Sequence, residues 1–416
     1  MIQPYQVVKD LDFVRIAGSA GEQRAIEVLS GYLRQLGLEP QLEPFDLHCF
    51  EPGNGWAEVN GKRYDLLPFG LSSPADVTGT LHFLENPDVL RLNRGAYDDK
   101  IVLLGRYGRD VQEALKSCRA VIVMGPVMRQ APSWSHRQKS YEDGVAPSLS
   151  VSYDTGAQLA RMDGKQVRVV IEQEAKKVTA HNIVAHIPGR GLDRNLLYGV
   201  AHYDTVNRTP GASDNTGGTA VLLALAEKLT RKQPGRDFRL VWFSGEEMGL
   251  RGSLAYVQQH EEEVRQRAAM VLNIDVTGDD VGVNRYAVIG TEGLRGWVDG
   301  VTREIGLSFA SAIDIYSSDA MPFAVHEIPS VNIARGGGKA SFHIHTPGDK
   351  LANVSPRGFV ASTRAAENLA RRWADAAIFP HAREIDDKLR EKIEKYFYRL
   401  TLEKPELHWE PKYKRP

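Results

Sequence analysis

The chain has 416 residues, a formal net charge of −1 and 25% charged side chains. Such a length exceeds what one compact core usually organises, so two domains or one domain with an insertion is expected. The charge balance excludes partners chosen by bulk electrostatics, such as nucleic acid or an anionic membrane. Cys49 and Cys118 alone are too few for a disulfide framework or a cysteine zinc site. The opening stretch MIQPYQVVKDLDF lacks a basic segment followed by an apolar run, and no apolar stretch reaches membrane-spanning length, so the expected location is cytoplasmic.

In chain order, residues 21–36 space Ile26, Leu29, Leu33 and Leu36 as one face of an amphipathic helix, with Gly37 placed for a left-handed cap. From about residue 49 to 178 the texture becomes short β-rich runs, IVLLG, AVIVMG and VRVVIE, separated by Gly, Pro and polar clusters, which predicts a separate, mostly β module. From about residue 182, strand and helix alternate: NLLYGVAHYD, TAVLLALAEKL, FRLVWFSGEE and AAMVLNIDV. This pattern predicts an α/β domain with a mixed, mostly parallel sheet covered by helices on both faces. Ser355-Pro356 predicts a helix start, an N-cap followed by Pro at the first helical position. Beyond Pro380, Ile385, Leu389, Ile393 and Leu400 form an apolar helical stripe that packs on the body or on another copy, leaving a homo-oligomer open.

Three of the expected strands finish in acidic or imidazole side chains: His202 with Asp204, Glu246 with Glu247, and Asp275. Ligands collect beyond the carboxyl ends of strands in such sheets. Adding Asp214 from GASDN and His345 from HTPGD gives five donors, more than one tetrahedral ion with an open position uses, so two ions are implied. Asp214 is the expected bridge, since it lies between two strand-end ligands and in a Gly-rich turn. Asp204, two residues after His202, leaves the strand on the same face and is expected to support that imidazole. Glu247 is expected as a ligand and Glu246 as the general base.

The ordered set AHYDT, GASDNTGG, FSGEEMGLRGS, NIDVTG and HTPGD, between residues 201 and 349, is similar to the signature of the co-catalytic zinc aminopeptidase family that includes glutamate carboxypeptidase II and the transferrin receptor. The resemblance implies a zinc-exopeptidase fold and two Zn2+, with Co2+ or Mn2+ as alternatives. His202, Asp214, Glu247, Asp275 and His345 would be ligands, Glu246 the base and Asp204 its support. Peptides would be the substrates. It further implies that residues 1–48 open the catalytic domain, that 49–180 are a protease-associated insertion and that 181–380 complete the di-zinc domain; the insertion is expected to act as a lid, and 381–416 to form a terminal helix and tail. Two positions depart from the family pattern. Ile344 stands where an oxyanion-binding Tyr often precedes the last ligand, and Ser318-Asp319-Ala320 replaces Ser-Asp-His, which leaves Tyr316 or His343 as candidates for the substrate oxygen. Rival readings are a single-zinc glutaminyl cyclase, a carboxypeptidase or dipeptidase, and a non-catalytic receptor-like protein; the last would have lost ligands, and all five are present. HEIPS, GGGKA and GRGLDRN fail as a helical zinc motif, a phosphate loop and a dinucleotide fingerprint respectively.

Overall fold

In the computed structural model, residues 1–91 and 95–399 are described. Thirteen strands among them join one sheet. Strands β1 (Gln41–Val59), β2 (Lys62–Pro68), β3 (Ala75–Leu84), β4 (Lys100–Leu104), β5 (Ala120–Met124), β6 (Ser148–Val151) and β7 (Gln166–Ile187) come first in the chain. They are followed by β8 (Leu196–His202), β9 (Asp237–Phe243), β10 (Ala268–Ile274), β11 (Val283–Ile289), β12 (Ala310–Ile313) and β13 (Ser330–Gly336). The lateral order is β1-β2-β6-β5-β4-β3-β7-β9-β8-β10-β13-β11-β12.

Strands β9, β8, β10 and β13 are parallel neighbours, and antiparallel β7 and β11 flank them. Strands β8 and β10 are buried along their whole length, as strands covered on both faces must be. Alternation sorts their side chains. Leu197, Ala201, Leu240, Trp242, Leu272 and Ile274 face the almost fully buried helix Thr216–Arg231 and the helix Val360–Asp375. Leu196, Tyr198, Val200, Val241 and Phe243 face Tyr256, Val257 and Val264 from the helices on the other side. The expected α/β sheet with helices on both faces is therefore present.

A second body has a core of its own, with Ala57, Leu81, Leu103, Ile122 and Ile171 on one face of β1 to β7 and Val102, Leu104, Val121 and Leu115 on the other. Its join to the first body differs from the sequence expectation. Positions 49 and 180 fall inside β1 and β7, which pair continuously from Gln41↔Val184 to Val59↔Val167. One register shift interrupts the ladder between Glu51 and Asn54, where a Cβ on Gly53 would lie 1.7 Å from the Glu172 carbonyl oxygen. The Pro52-Gly53 pair lies at a bulge within a shared strand.

The helix Ala20–Gln35 ends as expected, with Gly37 at φ 75° and Leu38 N donating to Leu33 O. At the other predicted start, the Ser355 hydroxyl donates to Asp280 Oδ1 at 2.6 Å and does not cap its own helix. The helix Asp387–Arg399 packs Leu389, Ile393 and Phe397, with Ile385 ahead of it, onto Leu250, Met321, Ala324 and Val325 of the body. Leu400 and the KYKRP tail lie outside the described residues. Cys49 and Cys118 are free and buried, and no helix among the described residues is long and apolar enough to cross a membrane.

One buried cation locks the amino-terminal segment to the sheet. Arg15 is 0% exposed. Its guanidinium donates to the carbonyls of Tyr203, Leu11, Phe13 and Pro210 and to Thr216 Oγ1, at 2.6–2.9 Å. Burial lowers its pKa to about 10, against the raising influence of Asp204, Asp349, Asp12 and Asp214. Arg15→Met takes the guanidinium away from the Tyr203, Phe13 and Pro210 carbonyls, while the Leu11 carbonyl keeps the Phe13 N–H, and chemical denaturation should show a loss of about 3–5 kcal/mol. Arg15→Lys should recover only part of this, because an ammonium cannot span the fork; full stability in both variants would refute the assigned role.

Candidate metal centre

The site is assembled at one edge of the parallel strands. β8 ends on His202, β9 leads through Ser244-Gly245 into Glu246 and Glu247, and β10 hands over to Asp275. Their parallel pairing, with His202 opposite Phe243 and Asn273 opposite Val200, brings these ends together. Asp214 arrives from the turn before the helix Thr216–Arg231. There Asn215 Oδ1 accepts the Gly218 N–H at 2.9 Å as helix cap while its Nδ2 donates to Ile274 O at 3.0 Å, tying the turn to β10. A Cβ on Gly217 or Gly218 would lie 2.2 Å from the Thr277 or Ile274 carbonyl oxygen, so only glycine permits this approach. His345 reaches in from the loop after the short helix Lys339–Phe342 with φ 62°, and Leu250 and Val276 beside the acidic pair and Asp275 also have positive φ, at 58° and 59°. Strained backbone of this kind collects at functional sites.

Two donor groups share one carboxylate. His202 Nε2 lies 3.2 Å from Asp214 Oδ1 and 3.5 Å from Asp275 Oδ1. His345 Nε2 lies 3.3 Å from Asp214 Oδ2 and 3.1 Å from Glu247 Oε2. Within each trio, His202-Asp214-Asp275 and Asp214-Glu247-His345, the candidate ligand atoms lie within 4.8 Å of one another. Asp275 Oδ1 is buried with no hydrogen-bond partner, a state a cation would complete. Imidazole nitrogens and carboxylate oxygens in this arrangement fit a divalent zinc-type ion.

The electrostatics follow from crowding acids out of water. Burial pushes Glu246 well above the ordinary carboxylate range, and the charges of Glu247, Asp319 and Asp275 add to it. Glu247 and Asp275 are raised mainly by burial as well. Burial also acts to raise Asp214, but contacts with His202 and His345 outweigh it and hold this carboxyl below its usual value. Burial would lower both imidazoles, yet their carboxylate neighbours carry them well above the ordinary histidine range.

Supporting groups surround these residues. Asp204 Oδ1 lies 3.3 Å from His202 Nδ1, and its two oxygens accept the Glu246 and Glu247 backbone N–H groups at 3.2 and 3.3 Å. Asp349 accepts from the Ser213 and Asp214 N–H groups at 2.8 and 2.9 Å and so holds the Asp214 turn from 135 positions away. Glu22, absent from the sequence reading, binds the Tyr203 and Ser244 hydroxyls, with burial raising it to about 7. Asp319 lies buried behind the acids and is raised to about 7, by burial first. Tyr316 lines the cavity of the metal centre, and its phenol is driven well above its ordinary range by burial and by Asp275, Asp214 and Glu246. His343 is not brought to this cavity; its ring packs edge-on to Phe342 at 5.0 Å and against Gly348. Being two residues from His345 in sequence does not place a side chain beside it when the backbone at His345 itself takes φ 62°.

The cavity, about 370 Å³, is closed on one side by Ser133, Trp134, Ser135 and Arg137 from the second body. Ser133 N donates to His345 O at 2.7 Å, and Arg129 donates to Ile344 O, which fixes this wall to the ligand loop. Ile344, in place of an aromatic donor, lines both this cavity and a neighbouring one of about 630 Å³ floored by Ala287, Ala334 and Gly336.

Comparison with known proteins places this architecture. Residues 182–370 match the model of peptidase family M28. The chain is 26% identical over 295 residues to an aminopeptidase of Pseudomonas aeruginosa, covering 64% of this chain and about half, 54%, of that relative. It is 25% identical over 356 residues to aminopeptidase YwaD of Bacillus subtilis, covering 82% of this chain and 77% of the relative. Among solved structures, a peptidase M28 precursor from Shewanella amazonensis superposes with a TM-score of 0.77 at 19% identity, over 93% of this chain and 95% of that one. A zinc aminopeptidase from Bacillus subtilis superposes at 0.75 and 21% identity, over 93% and 98%. The segment from residue 182 to 370, which carries every donor of the two trios, is the part of the chain that matches the model of peptidase family M28.

Proposed function

We propose that the protein is a metal-dependent aminopeptidase that removes amino-terminal residues from short peptides at a two-zinc centre. The observation that carries this reading is Asp214, whose two carboxylate oxygens each face a separate trio of donors. His202 and Asp275 would hold one ion, Glu247 and His345 the other, with Asp214 shared. Zinc held there would supply Lewis acidity, polarising the scissile carbonyl and lowering the pKa of water.

The remaining steps belong to side chains of this chain. Glu246, beside Glu247 and kept off the ligand set, takes a proton from the attacking water and delivers it to the leaving amine nitrogen. Asp204 aligns the base and its neighbour through their backbone N–H groups. Tyr316, held in its protonated form, donates a hydrogen bond to the developing oxyanion, in the place that Ile344 cannot fill. The surrounding carboxylates attract the free ammonium group, and the adjoining 630 Å³ cavity, lined by Val276, Tyr316, Phe342 and Ile344, accommodates the side chain of the residue to be released. The β-rich second body acts as a protease-associated domain that narrows the approach to the centre.

Glu246→Gln keeps the shape and removes the proton carrier. It should lower kcat/KM on aminoacyl chromogenic amides by about 10²- to 10⁴-fold, while elemental analysis still finds two zinc ions per chain. Retained turnover would remove Glu246 from the mechanism, and one ion per chain in the wild type would remove the two-zinc reading. Asp349→Ala, which frees the Ser213 and Asp214 N–H groups, should weaken zinc by about 10- to 100-fold in competition with a chromogenic chelator; an unchanged affinity would show that the turn holds itself.

A further inference from the structure

Among the described residues, Arg137 is the one lysine or arginine lining the metal-centre cavity, which it shares with His202, Asp214, Glu246, Glu247, Asp275 and His345. It is half-buried, and among the described residues its guanidinium has neither a hydrogen bond nor a carboxylate within ion-pair distance. The backbone that presents it is nonetheless held firmly. Just after it, the Gln138 side chain accepts the His48 N–H at 2.7 Å and donates to the His48 carbonyl at 2.8 Å. Just before it, His136 N donates to Gly70 O at 2.9 Å, and Ser133 N reaches the His345 carbonyl. Arg129 in the same loop is already engaged with Ile344 O, so the two arginines have different duties. A guanidinium held at the wall of an acidic cavity, yet paired with none of its acids, has its hydrogen-bonding fork available to a ligand.

We propose that Arg137 is a specificity-determining residue that binds a carboxylate on the leaving-group side of the substrate, making dipeptides the preferred class. This deepens the aminopeptidase reading and rests on it. The free ammonium of a substrate belongs among the acids, and a guanidinium cannot be its neighbour, so Arg137 faces the part of the substrate beyond the scissile bond. In a dipeptide that part ends in a carboxylate; in a longer peptide the same position is a neutral amide. A planar fork matches a carboxylate with two parallel bonds, and a cavity of about 370 Å³ is near the small end of ligand sites. A side-chain carboxylate on the second residue would offer the same chemistry.

The test uses the full-length zinc-loaded protein with Leu-Gly, Leu-Gly-amide, Leu-Asp-amide and leucine p-nitroanilide, in the wild type, Arg137→Gln and Arg137→Lys. The wild type should favour Leu-Gly over Leu-Gly-amide by about 10- to 100-fold in kcat/KM. Arg137→Gln should bring that ratio close to one, and Arg137→Lys should keep part of it. If Leu-Asp-amide, and not Leu-Gly, carries the Arg137-dependent advantage, the anchor reads an acidic side chain at the second residue. Equal use of all peptides by the wild type, or a preference that survives in Arg137→Gln with an unchanged melting temperature, would overturn the proposal. Turnover of the p-nitroanilide by the wild type keeps the aminopeptidase reading separate from that outcome; no turnover of any of the four substrates would overturn both.

Discussion

The position of the Asp214 backbone is the constraint on which the site depends. A carboxylate that serves two trios must present its oxygens in opposite directions, and this is settled by the chain on either side and not by the side chain alone. Asp349 grips the Ser213 and Asp214 N–H groups, Asn215 links the turn to the end of β10, and the paired glycines let the following helix come down onto that strand. Arg15 adds the last restraint, binding the carbonyl of Pro210 before the turn and the hydroxyl of Thr216 after it. The amino-terminal segment is thus part of the framework that positions Asp214, although it contributes no donor to either trio.

Gathering so many acids away from water has an energetic cost that packing alone does not offset. Its direction is visible in the upward displacement of Glu246, Glu247 and Asp275, which favours their neutral forms, and in the upward displacement of the two imidazoles beside them, which favours the cations that offset the acids. Protons and a divalent cation compete for the same charge, so a bound ion would displace protons from these groups and stabilise the folded chain. Left-handed backbone at His345, Leu250 and Val276 belongs to the same account: local conformational cost is accepted where donors must converge. The surrounding sheet, buried on both faces, is the part of the structure able to hold that cost.

Much of this was legible in the sequence, for an identifiable reason. Ligands at strand ends sit next to apolar runs that announce the strands, so His202, Glu246, Glu247 and Asp275 could be placed without coordinates, and Asp214 followed from its glycine-rich turn. What stayed hidden depends on contacts between distant segments. Asp349 reads as a turn residue after Pro347, and nothing local points to its partners 135 positions away. Arg15 and Glu22 look like ordinary charges near a helix start, yet both are buried. The change of texture near residues 49 and 178 suggested a separate module, whereas the pairing of β1 with β7 across both positions is a long-range contact that local texture does not carry. Tyr316 and His343 were equal candidates in the sequence, and only the fold separates them, giving the cavity to the tyrosine.

The second body bears on how substrates of different length are sorted. A hinged lid would need a flexible connection, but β1 and β7 pass through both bodies as one paired ladder, interrupted by a single bulge. The wall over the centre is tied down again by Ser133 to His345, by Arg129 to Ile344 and by Gln138 to His48. These bonds run from the second body to the loop that carries His345 and to β1 itself, so moving the wall would disturb the backbone at His345. Size selection in such an arrangement comes from a fixed distance between the acids that attract an ammonium group and the wall that carries Arg137. A substrate is then measured between two charges of opposite sign held on a common frame, and the length that satisfies both is set by the strands the two bodies share.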